Sequence, residues 1–153
     1  MTQVNRHVAV PPERVFEILA DGWTYASWVV GTSYIRAVDP HWPAAGSRIH
    51  HAVGPYPLVI RDTTTVRELT PGRRLLVRVR IWPVGEGDVD FQVDPVPGGT
   101  GSTVTLTETV VAGPWRLLGP VTEALLHARN VATLERLAAL AERRSAPGPR
   151  LSS

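Results

Sequence analysis

Hydrophobic and polar positions alternate with two different periods along the chain. Residues 3–10 predict a first strand that ends at Pro11, and apolar residues then recur at helical spacing as far as Asp21. A second short helical or irregular piece covers residues 23–31. From there to residue 111 the period is two, which predicts β-strands at about 33–38, 47–54, 58–69, 74–82, 87–94 and 102–111.

The longest predicted helix covers residues 120–143. Pro120 opens it and Glu123 lies in its first turn, as the helix dipole favours. The last residues, 145–153, are predicted to form a disordered polar tail after a single domain of residues 1–144. One face of the helix carries Leu126, Asn130, Thr133, Leu134, Leu137, Leu140 and Ala141.

The period of two assigns a side of the sheet to each strand residue. Arg61, Arg67, Arg78 and Arg80 share a solvated outer face with the four threonines of the last strand. The alternation does not decide which side of the sheet Tyr34 and Arg36 of the second strand face. The predicted inner face carries Leu58, Ile60, Ile81 and Val89 together with His51, Asp62, Thr64, Val77, Val79, Phe91, Leu106 and Glu108.

Composition and charge narrow the function classes. The chain of 153 residues has no cysteine, so disulfide and thiolate chemistry are excluded. All 16 basic residues are arginines scattered along the chain, and the net charge is only +2, which gives poor support for nucleic-acid binding. The sequence shows neither a signal-peptide core nor an apolar run near ~18 residues, so we expect a cytoplasmic protein without a transmembrane segment.

Polar residues on a predicted apolar face are the candidates for chemistry, because burying them without partners costs ~1–3 kcal/mol. Glu108 is either a general base or ligand acceptor, or a carboxylate at a cavity mouth that pairs with an arginine or water. Asp62 has the same alternatives, and a local bulge would turn it outward. His51 is either a core histidine with partners or a functional one. His50 and His51 point to opposite faces, so no metal site is expected, and no cofactor is implied.

Several stretches occur together in an order that characterises one family. They are Val10-Pro-Pro-Glu-Arg-Val-Phe16, Tyr25-Ala-Ser-Trp28-Val-Val-Gly31, Trp42-Pro-Ala-Ala-Gly46-Ser47, Glu68-Leu-Thr-Pro71-Gly72-Arg-Arg-Leu75, residues 99–108, and Arg129-Asn130 with Leu134 and Leu137. Over about residues 3–143 the chain resembles the START/polyketide-cyclase (SRPBCC) superfamily, which includes the birch-pollen-allergen fold, and in particular its small actinobacterial members.

The resemblance implies an α+β helix-grip fold. In that fold a curved seven-stranded antiparallel sheet wraps around the long C-terminal helix, two short helices follow strand 1, and an apolar cavity lies inside. The last helix packs over the last strand, so Arg129 and Asn130 are the candidate partners of Glu108. An arginine partner would keep Glu108 ionised and structural, whereas Asn130 alone would leave it available to take a proton.

The strand alternation, the helix face and the resemblance together predict the residues that line the cavity. Trp28 belongs to the segment that often gates the cavity in this superfamily. The predicted ligand-binding residues are Trp28, Tyr34, His51, Asp62, Thr64, Val77, Val79, Phe91, Leu106, Glu108, Leu126, Arg129, Asn130 and Thr133.

Three functions fit this scaffold, which hosts many activities. The favoured one is a carrier or sensor, monomeric or homodimeric, that binds a lipid-, steroid- or polyketide-like small molecule. The second is a polyketide cyclase or dehydratase of natural-product metabolism with Glu108, Asp62 or His51 as acid or base. The third is a protein-interaction module of the heat-shock-activator type. A buried carboxylate with polar partners in a cavity would favour the enzyme, and a filled interior would favour the interaction module.

Overall fold

The computed structural model describes residues 1–145, and it confirms the helix-grip prediction. The predicted disordered tail lies outside these residues except for Ser145, which is the last residue of the long helix. The elements in chain order are β1 (Thr2–Val8), α1 (Pro12–Leu19), a 3₁₀ turn (Gly22–Thr24), α2 (Tyr25–Trp28), β2 (Thr32–Val38), β3 (Arg48–Val53), β4 (Ile60–Thr70), β5 (Arg74–Ile81), β6 (Gly85–Pro95), β7 (Ser102–Ala112), a second 3₁₀ turn (Pro114–Leu118) and α3 (Pro120–Ser145).

The seven strands form one antiparallel sheet in the order β1-β7-β6-β5-β4-β3-β2. The first strand pairs with the last, so that Thr2 lies opposite Glu108. Helix α3 contacts β1 most extensively and also touches α1, α2 and β7. As predicted, Leu126 and Leu137 on its inner face are buried. This arrangement places the middle of α3 over the concave face of β7.

Several strand ends differ from the prediction by one or two residues, and the start of β4 is the one that changes a predicted inner-face residue. The pairing of β3 with β4 ends at Val53 and Ile60, and Leu58, predicted on the inner face of β4, lies in the preceding loop with 81% of its surface exposed. Pro55 and Pro57 explain the difference, since proline has no N–H to donate to a strand ladder.

The two helices after β1 bury an aromatic cluster beneath the sheet. The rings of Tyr25 and Trp28 lie 4.5 Å apart, and Trp28 meets Phe91 edge-on at 5.7 Å. The Trp28 indole N–H donates to the Thr24 hydroxyl at 3.1 Å, and the side chain is fully buried. Trp28 is therefore part of the core, and its predicted place on the cavity wall is wrong: its flat faces and its N–H are already occupied by protein groups.

The outer face of the sheet carries arginines that are paired with carboxylates. Arg78 forms a hydrogen-bonded ion pair with Asp88, which lies directly opposite on β6. Arg80 lies 3.4 Å from Glu86, again a directly paired position. Cross-strand pairs of opposite charge neutralise the Arg78 and Arg80 part of this face. That neutralisation supports the prediction that the protein binds no nucleic acid, which remains a prediction.

Truncation of a buried leucine on α3 tests the grip of the sheet on the helix. Leu137→Ala should lower the free energy of unfolding by about 2–5 kcal/mol, because the side chain is almost fully buried in the core. Leu125→Ala, on the exposed side of the same helix, should change it by about 0.5 kcal/mol or less. Urea denaturation of both variants measures this, and equal losses would contradict the packing described here.

Candidate functional site

Two adjoining chambers lie between the concave face of the sheet and α3. The larger, here called the outer chamber, has a volume of about 330 Å³, and the smaller, the inner chamber, has about 60 Å³. The inner chamber is lined by deeply buried residues such as Phe91 and Leu106, whereas exposed Leu58 borders the outer one. Both share the walls Val30, Gly31, Val53, Val79, Ile81 and Arg129.

Glycines at the start of β6 leave room for the outer chamber. Gly85 and Gly87 line it at positions that alternate with inward-facing Val89. A Cβ at Gly85 would lie 2.5 Å from the carbonyl oxygen of Ala112, and no residue with a side chain fits there. The strand therefore approaches its neighbour closely and contributes no side-chain bulk to this end of the cavity.

The remaining walls of the outer chamber are mostly apolar. Exposed Leu58 borders it, as does Trp115, which belongs to the second 3₁₀ turn. The apolar lining consists of Pro55, Leu58, Ile60, Val84, Val110, Trp115 and Leu126.

Glu108, Arg129 and Asn130 form a polar wall, and all three were predicted. Arg129 Nη2 donates to Glu108 Oε2 at 2.6 Å, and Asn130 Nδ2 donates to the same oxygen at 2.8 Å. Arg129 Nη2 also donates to Asn130 Oδ1 at 3.0 Å, which closes a triangle of three hydrogen bonds. Glu108 sits in the middle of β7 with consecutive residues of α3 above it, so the helix-over-strand packing creates this wall.

The triangle leaves two polar groups of the wall without a protein partner. Glu108 Oε1 accepts no hydrogen bond from the described part of the chain, and a Cβ at Gly87 would lie 3.8 Å from it on the chamber side. Arg129 Nε is buried and also has no partner within residues 1–145. The wall thus offers one anionic acceptor, Glu108 Oε1, to a molecule in the chambers.

His51 lies in the inner chamber, on the side of β3 that the alternation predicted. Its side chain is buried, and neither ring nitrogen makes a hydrogen bond of normal geometry in the range that the structure covers. His50 points to the other face, where Nε2 lies 3.1 Å from Asp39 Oδ1. The two histidines are thus separated by the sheet, as predicted.

Two predicted cavity residues lie elsewhere for reasons of local geometry. Asp62 is buried, but its Oδ2 accepts the backbone N–H of Trp82 at 2.9 Å just beyond the end of β5. Arg80 lies 3.5 Å from its Oδ1. Tyr34 lies between two irregularities in the β2–β3 pairing, and its hydroxyl accepts from exposed Arg61 at 3.2 Å. The placement of Asp62 and Tyr34 on the cavity wall is therefore wrong.

The other predicted residues border the chambers. In addition to the polar wall and His51, they are Thr64, Val77, Val79, Phe91, Leu106, Leu126 and Thr133. The residues that the prediction missed lie mainly in connections: Val29, Val30, Gly31, Gly54, Pro55, Val84 and Trp115. Glycine and proline at 54–57 were the available signal for a loop there.

Burial of His51 makes the stability of the protein depend on pH. Desolvation lowers the pKa of His51 below the ordinary value of 6.5; the main chain of Thr63 and the carboxylate of Asp62 oppose this shift, and Arg36 and His50 add to it. Near pH 6.5 the His51 imidazole therefore binds a proton in the unfolded chain but not in the folded protein. Burial of neutral His51 therefore does not reduce the free energy of unfolding above pH 6.5. Below pH 6.5 the free energy of unfolding falls as the pH decreases towards the pKa of His51 in the folded protein.

We expect His51→Leu to gain stability relative to the unmodified protein as the pH falls below 6.5. Urea unfolding at a series of pH values on both sides of 6.5 measures the difference. A difference that does not change with pH would show that His51 titrates alike in the folded and unfolded chains.

Solved structures similar to this chain share its fold. The Zhui aromatase/cyclase from Streptomyces sp. R1128 is 20% identical with a TM-score of 0.72, over 97% of this chain and 96% of that one. A START superfamily protein from Mycobacterium smegmatis is 17% identical with a TM-score of 0.63, over 94% of each chain. A protein from Thermus thermophilus is 17% identical with a TM-score of 0.70, over 95% of this chain and 99% of that one. Comparison with curated proteins gives no match.

The family model described as "Polyketide cyclase / dehydrase and lipid transport" matches residues 2–142. Over residues 1–145, no helix is both long and apolar enough to cross a membrane. The actinobacterial origin and the cytoplasmic location remain predictions. Because the family model covers nearly the whole chain, the protein belongs to the polyketide cyclase/dehydrase and lipid transport family.

Proposed function

We propose that the protein binds a hydrophobic small molecule in the outer chamber and serves as its carrier or sensor. The observation that carries the proposal is an apolar chamber of about 330 Å³ with one polar wall. Small-molecule sites are concave, mostly apolar and supplied with a few polar groups that orient the ligand, and their volumes begin at roughly 300 Å³. The family description, which names both polyketides and lipids, agrees with such a ligand.

An open interior supports small-molecule binding over a protein-interaction role. An interaction module would gain stability from a filled core, because an empty apolar cavity weakens the packing around it. The inner faces of β5, β6 and β7 instead line open space, and glycines at the start of β6 enlarge it.

One observation favours the enzyme as a second candidate. Glu108 is bound by Arg129 through Oε2, while Oε1 faces the chamber without a protein partner among the described residues. Arg129 is the partner that the sequence analysis associated with a structural Glu108, yet Oε1 is open to accept a hydrogen bond or a proton from a bound substrate. Asp62 has no such access, because Trp82 and Arg80 occupy its oxygens.

Binding can be tested with a neutral fluorescent probe, N-phenyl-1-naphthylamine. We expect saturable binding to one site with an increase in fluorescence, since the probe is apolar and its size suits the outer chamber. The same protein at matched concentration in urea serves as the unfolded control. Absence of saturable binding to the folded protein would contradict the proposed function.

Glu108→Gln tests the role of the free carboxylate oxygen. Both donors bind Oε2, so the glutamine will place its oxygen there and its NH₂ group where Oε1 stood. The fold should remain intact. As a carrier, the variant should bind the probe, whose amine donates a hydrogen bond, roughly 3–10-fold more weakly by fluorescence titration.

Glu135→Gln, on the exposed side of α3, is the matched control and should bind the probe as the unmodified protein does. As an enzyme, the Glu108→Gln variant should lose turnover and keep its affinity. Unchanged affinity together with unchanged turnover would show that Glu108 has neither role.

A further inference from the structure

The inner chamber has a polar feature that its apolar surroundings do not explain. His51 is 4% exposed, and neither Nδ1 nor Nε2 makes a hydrogen bond of normal geometry among residues 1–145, although the main chain of Thr63 lies close enough to oppose the lowering of the ring's pKa. Most buried polar groups in proteins are paired, because an unpaired one costs stability. The walls beside it include the apolar side chains Ile49, Val77 and Phe91. The imidazole thus lines the chamber with hydrogen-bonding capacity that its protein neighbours leave largely unused.

The chemistry of the imidazole defines the group that would complete it. A neutral imidazole has one donor nitrogen and one acceptor nitrogen, and a hydroxyl can serve either of them. The hydroxyl of Thr64, opposite Ile49 on the neighbouring strand, lines the same chamber and adds a second polar contact. Arg129 is charged but lies on the wall shared with the outer chamber, whereas the side chains beside His51, Ile49 and Phe91 among them, are apolar and disfavour a charged group there.

The charges around His51 also favour a neutral group. Arg36 donates to the carbonyl oxygens of His51 and Asp62 at 3.2 and 3.0 Å, which places a positive charge beside the ring. The Asp62 carboxylate places a negative charge on the neighbouring strand. Because charges of both signs, Arg36 and the Asp62–Arg80 pair, lie near His51, neither an anion nor a cation is clearly favoured there, whereas a hydroxyl needs no charged partner.

The dimensions of the chambers fit a ligand with a small polar end. About 60 Å³ is room for about two water molecules, each of which occupies about 30 Å³ in the liquid, or for the tip of a larger molecule. The shared walls, among them Val79, Ile81 and Arg129, allow a ligand in the outer chamber to reach the inner one.

We propose that the inner chamber is a subsite for a neutral hydroxyl group, phenolic or alcoholic, at one end of an otherwise apolar ligand, with His51 as its hydrogen-bond partner. This inference rests on the proposed function and specifies its ligand class. The ligand body fills the outer chamber, and its hydroxyl end replaces the partners that the protein does not provide for His51.

A pair of probes that differ only in the hydroxyl tests the subsite. 2-Naphthol and naphthalene are titrated by calorimetry into the unmodified protein, into His51→Leu and into His50→Leu, which alters the neighbouring histidine on the outer face. His51→Leu should weaken 2-naphthol binding roughly 3–10-fold and change naphthalene binding less than about twofold. His50→Leu should change neither. NMR of the unmodified protein should show the imidazole nitrogens of His51 shifting with 2-naphthol and not with naphthalene.

The outcomes separate this inference from the proposed function. If both probes bind and His51→Leu weakens them equally or not at all, or if the His51 nitrogens do not respond to 2-naphthol, the hydroxyl subsite is wrong and the proposed function stands. If neither probe binds while N-phenyl-1-naphthylamine does, the subsite is likewise wrong. If none of the three binds the folded protein, the proposed function itself fails.

Discussion

Tryptophan in place of Val110 should weaken the binding of N-phenyl-1-naphthylamine at least about tenfold, a loss of roughly 1.4 kcal/mol. Val110 lies on β7 and lines the outer chamber. The larger side chain will project into open space and fill the volume that the probe needs. The free energy of unfolding should change by about 1 kcal/mol or less, because overpacking is costly only where the neighbouring atoms are already in contact.

Thr109→Trp is the matched control for this prediction. Thr109 precedes Val110 on the same strand and points to the outer face, so the same bulk enters solvent. Probe affinity should be retained. Equal loss of affinity in both variants, or full affinity in Val110→Trp, would show that the probe binds somewhere other than the outer chamber.

Removal of the arginine from the polar wall should have the largest effect on stability. Arg129→Met leaves the Glu108 carboxylate, which is 8% exposed, without its charged partner. Breaking a fully buried ion pair typically costs about 3–5 kcal/mol. Because the Arg129 side chain is 29% exposed and Asn130 keeps its bond to Glu108, we expect a loss of about 2–3 kcal/mol in urea denaturation.

A second substitution separates the lost charge pair from the lost packing. Glu108→Gln combined with Arg129→Met removes the uncompensated charge, so the double variant should be more stable than Arg129→Met alone. Arg136→Met, an exposed position on the same helix, should change stability by about 0.5 kcal/mol or less. Strict additivity of the two substitutions would contradict the coupling of Glu108 and Arg129.

The residues of the polar wall could be predicted because they depend on regular geometry. The alternation of a strand has a fixed period, so Glu108 between Leu106 and Val110 had to face inward unless a bulge intervened. Asn130 followed from the helical period, and its meeting with Glu108 from the helix-over-strand layout of the superfamily. Backbone periodicity determines these positions, so small errors in the predicted element boundaries do not change the prediction.

The errors arose where local geometry interrupts the period. Irregular β2–β3 pairing on both sides of Tyr34 removes the alternation that would assign its face. Asp62 keeps its inward parity, but its carboxylate satisfies the Trp82 N–H where the β5 strand ends, a long-range contact with no sequence signal. Trp28 shows that the sequence pattern does not distinguish an aromatic side chain in the core from one on a cavity wall. Which loop residues line the chambers depends on how turns far apart in the sequence pack against each other, and the sequence pattern does not show this.

The most direct test of small-molecule binding is native mass spectrometry of the protein purified from its own cells, compared with the Val110→Trp variant produced in the same way. If the chambers bind a hydrophobic small molecule, the unmodified protein will carry a non-covalent adduct of defined mass, and the variant will lack it. An unmodified protein with no adduct, or the same adduct on Val110→Trp, would contradict the account.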